Sequence, residues 1–328
     1  MTHFVGEKLV AAANSLAVLG GALGRRVAGS QISTAVTPDY QKVFVVGCPR
    51  SGTTWVADIL ARHPRVIHGY ESQLYPTLAH SIGAYGRNNP RAWARLFYGL
   101  ERGKRRGAMA GLHHYVDRAT LARIGRRVLA ESRSDDAAVA GLMRGVLDSY
   151  FVREGGDALS VLVEKTPTHV FHIAAILDAF PEAHIVEVRR DGRDACVSMA
   201  LRSAQVSAFP ATHEGRIALW LRAVRAGLAA SSNGSAARGR ITVVRYEDLK
   251  ADPAPEILRL FSDVRLEADE DLVREIASAS DITRYPTGPG EFRHRGAVGT
   301  WTDFFSPADE QQFREMVGDV FVELGYSY

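Results

Sequence analysis

Residues 43–55 of this 328-residue chain, VFVVGCPRSGTTW, combine a β-branched run, a Gly-containing turn and the start of a helical pattern. Gly47 and Gly52 hold the G-x-x-x-x-G spacing at which backbone N–H groups converge on a phosphate, and the positive end of the following helix adds to that pull. Nucleoside triphosphatases place a Lys directly after the second Gly to reach the outer phosphates; here that position is Thr53. A cation stands two residues before that Gly instead. Arg50 can fork onto an oxyanion and keeps its charge at any working pH, and Pro49 stiffens the turn that presents it. Residues 190–198, RDGRDACVS, taken alone read first as a helix N-terminus with a charged surface and second as another anion point. Arg190 would leave the end of an expected strand, and Ser198 on the next helix would bring its hydroxyl to the same phosphate. The chemistry that both segments fit is recognition of phosphate or sulfate without a metal-binding loop.

Such residues converge only if strands carry them to one edge. Short β-branched runs at Val43–Gly47, Val161–Glu164, Ile185–Val188 and Ile241–Arg245 predict strands, with a weaker one at Val66–His68. Helical patterns follow at about Gly52–Arg62, Thr168–Phe180, Gly192–Ser203 and Ala254–Phe261. Short buried strands alternating with helices predict an α/β fold: a three-layer α/β/α arrangement around a mainly parallel sheet. Ligands of such sheets bind at the carboxyl ends of the strands. Residues 76–155 carry helical patterns without a strand signal and read as a helical cap inserted into a domain spanning 41–328. Asn233–Arg238 reads as a surface linker, and Tyr285–Gly299 as a long Gly-rich loop.

Composition narrows the function classes. The net charge of +3, from 40 Lys+Arg against 37 Asp+Glu, gives no support for nucleic-acid binding. Two cysteines, Cys48 and Cys196, exclude a disulfide framework, and the chain reads as cytoplasmic. Residues 1–40 form an N-terminal extension in which Leu9–Leu23 is apolar, preceded by Lys8 and followed by Arg25-Arg26. Fifteen residues containing Asn14, Ser15 and two glycines are too short and polar to span a bilayer. The run reads first as a packed or surface helix, second as a helix making weak contact with a membrane surface, and third as a targeting segment.

Pro49-Arg50-Ser51-Gly52-Thr53-Thr54-Trp55 resembles the 5′-phosphosulfate loop of sulfotransferases that use 3′-phosphoadenylyl sulfate, PAPS. The resemblance implies a P-loop-like fold and a loop that grips the 5′-phosphate and its sulfuryl group without a metal. Arg190 and Ser198 then match the family's 3′-phosphate motif. His294-Arg295-Gly296-Ala297-Val298-Gly299-Thr300-Trp301 resembles its late loop, through which Arg295 and Gly296 would complete the cage; His294 departs from the usual Arg. Tyr246, in Val244-Arg245-Tyr246-Glu247-Asp248, matches a strand-end Tyr near the nucleotide. The matches run from residue 43 to about 325 and leave the cap and the first forty residues uncovered. The implied donor is PAPS, the product 3′-phosphoadenosine 5′-phosphate (PAP), and the acceptor a hydroxyl of a small molecule or glycan: a saccharide, lipid or natural product.

Sulfuryl transfer needs a base for the acceptor hydroxyl and cations for the oxygens that gain charge. Val163-Glu164-Lys165-Thr166-Pro167 resembles the family segment that supplies Lys165 beside Arg50. The cytosolic branch places its His base two residues later, where this chain has Pro167. A second branch, which includes the Golgi tyrosylprotein and heparan sulfate enzymes, uses a Glu about twenty residues beyond the first loop, after a His-Pro turn. Here His63-Pro64 leads to Glu71, which the resemblance makes the base. Two other readings compete: a nucleotide kinase with a degenerate loop, and a nucleotide-binding regulator without catalysis. The kinase would need a Lys after Gly52 and a magnesium site.

Other signals read as structural. Arg87, Arg91, Arg95, Arg102, Lys104, Arg105 and Arg106 form a basic stretch, first a solvated helix face and second an attractor of an anionic acceptor. His113-His114 carries no metal site, since adjacent helical residues point apart and no third ligand is in register. Cys48 and Cys196 read as small packing residues lining one crevice. Tyr75, Tyr85, Trp93, Phe97, Tyr98 and Tyr115 read as cap core.

Overall fold

The computed structural model describes residues 39–105, 108, 110–203, 209–232, 239–284 and 296–328. The expected N-terminal helix, the Asn233–Arg238 linker, and His294 and Arg295 lie outside the described residues. The strands are β1 Gln41–Gly47, β2 Val66–Tyr70, β3 Val161–Lys165, β4 His184–Arg189 and β5 Ile241–Arg245. They form one sheet in the order β2-β3-β1-β4-β5. From β1 the chain fills one side of the sheet, then crosses to the other, so β1 and β4 flank the point where the strand order reverses. Pairing of β1 with β4 and of β4 with β5 is parallel. Gly47 aligns with Val188, Val188 with Val244, and Arg189 with Arg245. Three strands therefore end at one level, and the residues after them emerge side by side. β1 is buried from Lys42 to Gly47, as a central strand covered on both faces must be.

The chain divides into two compact units: Lys42–His68, Val163–Ala174 and Glu182–Tyr328 in one, and Gly69–Leu162 with Ala175–Pro181 and the described residues 39–41 in the other. In the first, α1 (Thr53–Ala61) follows the Gly-containing loop, and α7 (Gly192–Ser203) follows β4. At the start of α7, Asp191 Oδ1 accepts the Arg193 N–H at 2.8 Å. The helix α8 (His213–Ser232) packs on α7 through Trp220, which is fully buried and donates its indole N–H to the Arg190 carbonyl at 3.1 Å. α9 (Tyr246–Ala251), α10 (Pro253–Asp263) and α11 (Glu270–Ala279) follow β5. The chain ends in α12 (Pro307–Val317), opened by a Ser306–Asp309 capping box, and α13 (Val320–Glu323).

The second unit is helical: α2 (Leu74–Tyr85), α3 (Pro90–Arg105), α4 (Arg118–Glu131) and α5 (Asp135–Arg153), with α6 (Ile173–Ala179) placed after β3. Asp117 and Ser134 cap α4 and α5 by accepting the N–H of Thr120 and Ala137, the usual role of a short polar side chain at a helix start. Trp93, Phe97 and Tyr115 are buried as expected, whereas Tyr98 and Tyr85 are exposed, so the aromatic core of the cap is smaller than the sequence suggested. The expected helix Thr168–Phe180 is divided into a 3₁₀ turn, Pro167–His172, and α6. The Thr166 carbonyl accepts the His169 N–H at 3.0 Å, the i→i+3 bond of a 3₁₀ turn. His113 and His114 do not point apart: both Nε2 atoms lie within hydrogen-bond distance of the Ala108 carbonyl, at 2.9 and 2.8 Å. They sit in a 3₁₀ turn (Leu112–His114) rather than a regular helix, which removes the assumed divergence.

Candidate functional site

The loop after β1 is built by its backbone. Arg50 adopts φ 74, an uncommon conformation for a residue with a side chain, and Ser51 closes the turn by donating its N–H to the Cys48 carbonyl at 3.1 Å. Gly52 follows with φ 95 and opens α1; a Cβ there would run into the Tyr246 ring. The second Gly of the motif is thus fixed by two demands, a left-handed backbone and contact with an aromatic face.

Tyr246 is the wall behind that loop. It is buried, and burial pushes its phenol up to about 12. The neutral hydroxyl donates to the Gly296 carbonyl at 2.7 Å. The Arg190 guanidinium lies 4.4 Å from the ring centroid, and Trp55 meets the ring edge-on at 5.3 Å. Trp55 donates its indole N–H to the Ser280 carbonyl at 2.7 Å, so its side chain secures α1 and leaves only backbone for a ligand.

Arg190 follows β4 and Arg50 follows β1, and the structure brings them to the same loop. Arg190 donates to the carbonyls of Ala297 at 2.9 Å and of Arg50 at 3.4 Å, while its buried Nε has no hydrogen-bond partner among the described residues. Arg50 is exposed, and its Nε donates to Ser198 Oγ at 3.0 Å. Lys165, the last residue of β3, is fully buried and donates to Thr54 Oγ1 at 3.1 Å. Of the sequence-selected residues, Arg50, Ser51, Gly52, Thr53, Thr54, Trp55, Lys165, Arg190, Ser198, Tyr246 and Gly296 all belong to this one unit. Glu71 belongs to the other. It directly follows β2, its carbonyl accepts the Gly111 N–H at 2.8 Å, and its carboxylate lies 3.5 Å from the Gln73 amide nitrogen.

Lys165 is bordered by a buried acidic group. Glu164 accepts the Thr166 hydroxyl at 2.6 Å, and its other oxygen lies 3.0 Å from His169 Nδ1, with both side chains sealed from solvent. His172, one turn on, is held near 4, chiefly by burial and further by its neighbour His169, so it is neutral at pH 7. The two thiols are also neutral there. Burial raises both Cys48 and Cys196, the latter to about 12, which fits packing and not nucleophilic chemistry.

Sequence reasoning missed Asp194. The side chain is buried in the first turn of α7, and it accepts from the Gly299 N–H at 2.9 Å, the Thr300 hydroxyl at 3.0 Å and the Trp301 N–H at 3.0 Å. Arg190 lies 3.6 Å away. One carboxylate thus ties the late loop to the helix that carries Ser198. The available signal was its position four residues after Arg190, in the first turn of the expected helix. Asp191 and Glu247 form a further support: Arg193 grips Asp191 with two nitrogens, and Glu247 accepts the Asp191 N–H at 2.8 Å. A separate cavity of about 180 Å³ is lined by Cys196, His213, Arg216, Phe305 and Asp309 among others, and includes none of the residues assembled at the strand ends except through the α7 helix itself.

Three cations, a loop of converging amides and a buried phenol at the carboxyl ends of parallel strands make a site for a ligand with more than one phosphate or sulfate group. Residues 42–270 match the sequence profile of the sulfotransferase family. The fold is similar to the sulfotransferase domain of the Synechococcus PCC 7002 olefin synthase, with TM-score 0.50 and 18% identity over 92% of this chain and 100% of that one. A sulfotransferase from Mycobacterium avium gives TM-score 0.50 and 17% identity over 88% of this chain and 78% of that one. At these identities the likeness concerns the fold. An uncharacterized protein from Aquifex aeolicus is 24% identical over 164 residues, which are 49% of this chain and 17% of that protein, so the match spans a small part of its relative's length.

Replacing Asp194 with Ala leaves two backbone N–H groups and a hydroxyl without their acceptor. Unfolding free energy should fall by about 1.5–3 kcal/mol, as for loss of a charged hydrogen-bond partner. The amides of Gly299 and Trp301 should lose hydrogen-exchange protection while those of β4 keep it. Unchanged protection at both amides would contradict the assignment.

Proposed function

Because the chain belongs to the sulfotransferase family, we propose that it transfers a sulfuryl group from PAPS to an acceptor hydroxyl and releases PAP. The observation that carries this reading is the convergence of Arg50, Ser198 and Arg190 on one loop at the strand ends. The residues fit such a donor. Among the described residues the buried Arg190 Nε has no hydrogen-bond partner, and the guanidinium is already aligned by Tyr246, so an additional oxyanion can be bound with little reordering. Arg190, Ser198 and the Gly296 backbone hold the 3′-phosphate, with Arg295 joining them by its place in the sequence motif. Arg50 and the 51–55 backbone hold the 5′-phosphosulfate.

PAPS supplies the activated sulfuryl group: the acceptor oxygen forms a bond to sulfur as the bond from sulfur to the 5′-phosphate oxygen breaks. Lys165 and Arg50 stabilise the charge gathering on the departing phosphate and the equatorial oxygens. Thr54, as the acceptor of the Lys165 hydrogen bond, orients the ammonium. Glu71 takes the acceptor proton. Its role rests on the His63-Pro64 turn and its spacing from the first loop. The acceptor is a hydroxyl of a small molecule or glycan.

Calorimetry should show PAP binding far more tightly than ATP and with no need for magnesium; an absolute magnesium requirement, or preference for ATP, would favour the kinase reading. Glu71→Gln should retain PAP affinity and lower turnover of an alkyl hydroxyl acceptor by on the order of 10²–10⁴. A nitrophenol acceptor, already ionised at assay pH, should lose much less. Near-normal turnover with the alkyl acceptor would mean that another group takes the proton.

A further inference from the structure

The exposed face of α3 carries Arg91, Arg95, Tyr98, Arg102 and Arg105. Their spacing alternates steps of four and three residues, so all five fall on one stripe of the helix, about 21 Å long at about 1.5 Å per residue. The opposite face, with Trp93, Leu96 and Phe97, is buried in the helical unit. Tyr98, in the middle of the stripe, is 51% exposed. Among the described residues no carboxylate pairs with any of the four guanidinium groups. Three other arginines of the unit are engaged: Arg87 pairs with Asp135 at 3.0 Å, Arg153 with Glu154 at 2.9 Å, and Arg118 lies over Phe97. Glu101 is the only acidic residue in α3, against five Lys and Arg.

We propose that this stripe docks the protein on an anionic lipid surface. A straight helix lying on a plane touches it along a line, and the arginines occupy such a line. Guanidinium groups fork onto phosphate oxygens, and a half-exposed Tyr at the centre suits the headgroup level, where its ring has apolar and polar surroundings together. A linear polyanion such as nucleic acid fits less well, because a sequence-tolerant track for it combines a groove with several stacking aromatics, and this stripe is convex with one. The second reading of Leu9–Leu23, flanked by Lys8 and Arg25-Arg26, is weak contact with a membrane surface; two modest signals together anchor better than either alone.

The test is co-sedimentation of the full chain with vesicles of phosphatidylcholine alone and of phosphatidylcholine with one-quarter phosphatidylserine. Binding should require phosphatidylserine and weaken with salt. Each basic residue near such a surface contributes about a fivefold change in partition, so the combined R91Q, R95Q, R102Q and R105Q substitutions should reduce it by on the order of 10²–10³. Lys104→Gln, a charge removed from another side of α3, should change it less than twofold. PAP affinity measured on the same quadruple variant shows that it remains folded. Three outcomes would overturn the proposal: unchanged partition of the quadruple variant, equal binding to phosphatidylcholine alone, or stripe-dependent binding to heparin or DNA with none to the vesicles.

Discussion

The Arg190 guanidinium lies 4.4 Å from the centroid of the buried Tyr246 ring, and the loops at the strand ends are arranged around that contact. A buried cation is costly unless its donors are satisfied and its charge is offset. Here the ring face, two backbone carbonyls and the nearby Asp194 carboxylate share the task. The same ring excludes any side chain at position 52 and ends in the hydroxyl that holds Gly296. Removing Tyr246 would therefore disturb the first loop, Arg190 and the late loop together.

That contact is possible because the strands run parallel and end in register. Arg189 and Arg245 are partners across β4 and β5, so Arg190 and Tyr246 leave the sheet as neighbours. Gly47 is level with Val188, which brings the 48–52 loop beside them. Asp194 then uses the first turn of α7 to pull in a segment more than a hundred positions later. Positioning here is mostly backbone geometry, with charged side chains supplying the final links.

Much of this was legible in the sequence because the signals were local. β-branched runs marked all five strands, the extent of α7 was read without error, and the loop motif named Gly52 and Arg50. What escaped depended on tertiary contacts. α8 is an exception, since Ile217, Trp220, Leu221 and Val224 recur at the i, i+3, i+4, i+7 spacing of one buried helix face, a local signal. Asp194 looked like an ordinary acidic residue near a helix start, and its three acceptor contacts arise only when the late loop folds back. Tyr98 counted as core on composition, but the helical spacing places it among the arginines, on the solvent side. Glu71 is proposed from its sequence position, whereas the proposals for Arg50, Lys165 and Arg190 also draw on the hydrogen bonds at the strand ends.

The central claim is that Arg190 serves the 3′-phosphate of the donor and that Arg50 serves the other end. The most direct measurement compares PAP with adenosine 5′-monophosphate, which lacks only that 3′-phosphate, by calorimetry on the wild type and on Arg190→Ala. The wild type should prefer PAP strongly. Arg190→Ala should erase a factor of about 10–150 of that preference, the equivalent of about 1.5–3 kcal/mol for a charged hydrogen-bond partner, while affinity for the monophosphate stays within about twofold. Equal losses for both nucleotides, or an undiminished preference for PAP, would contradict the account.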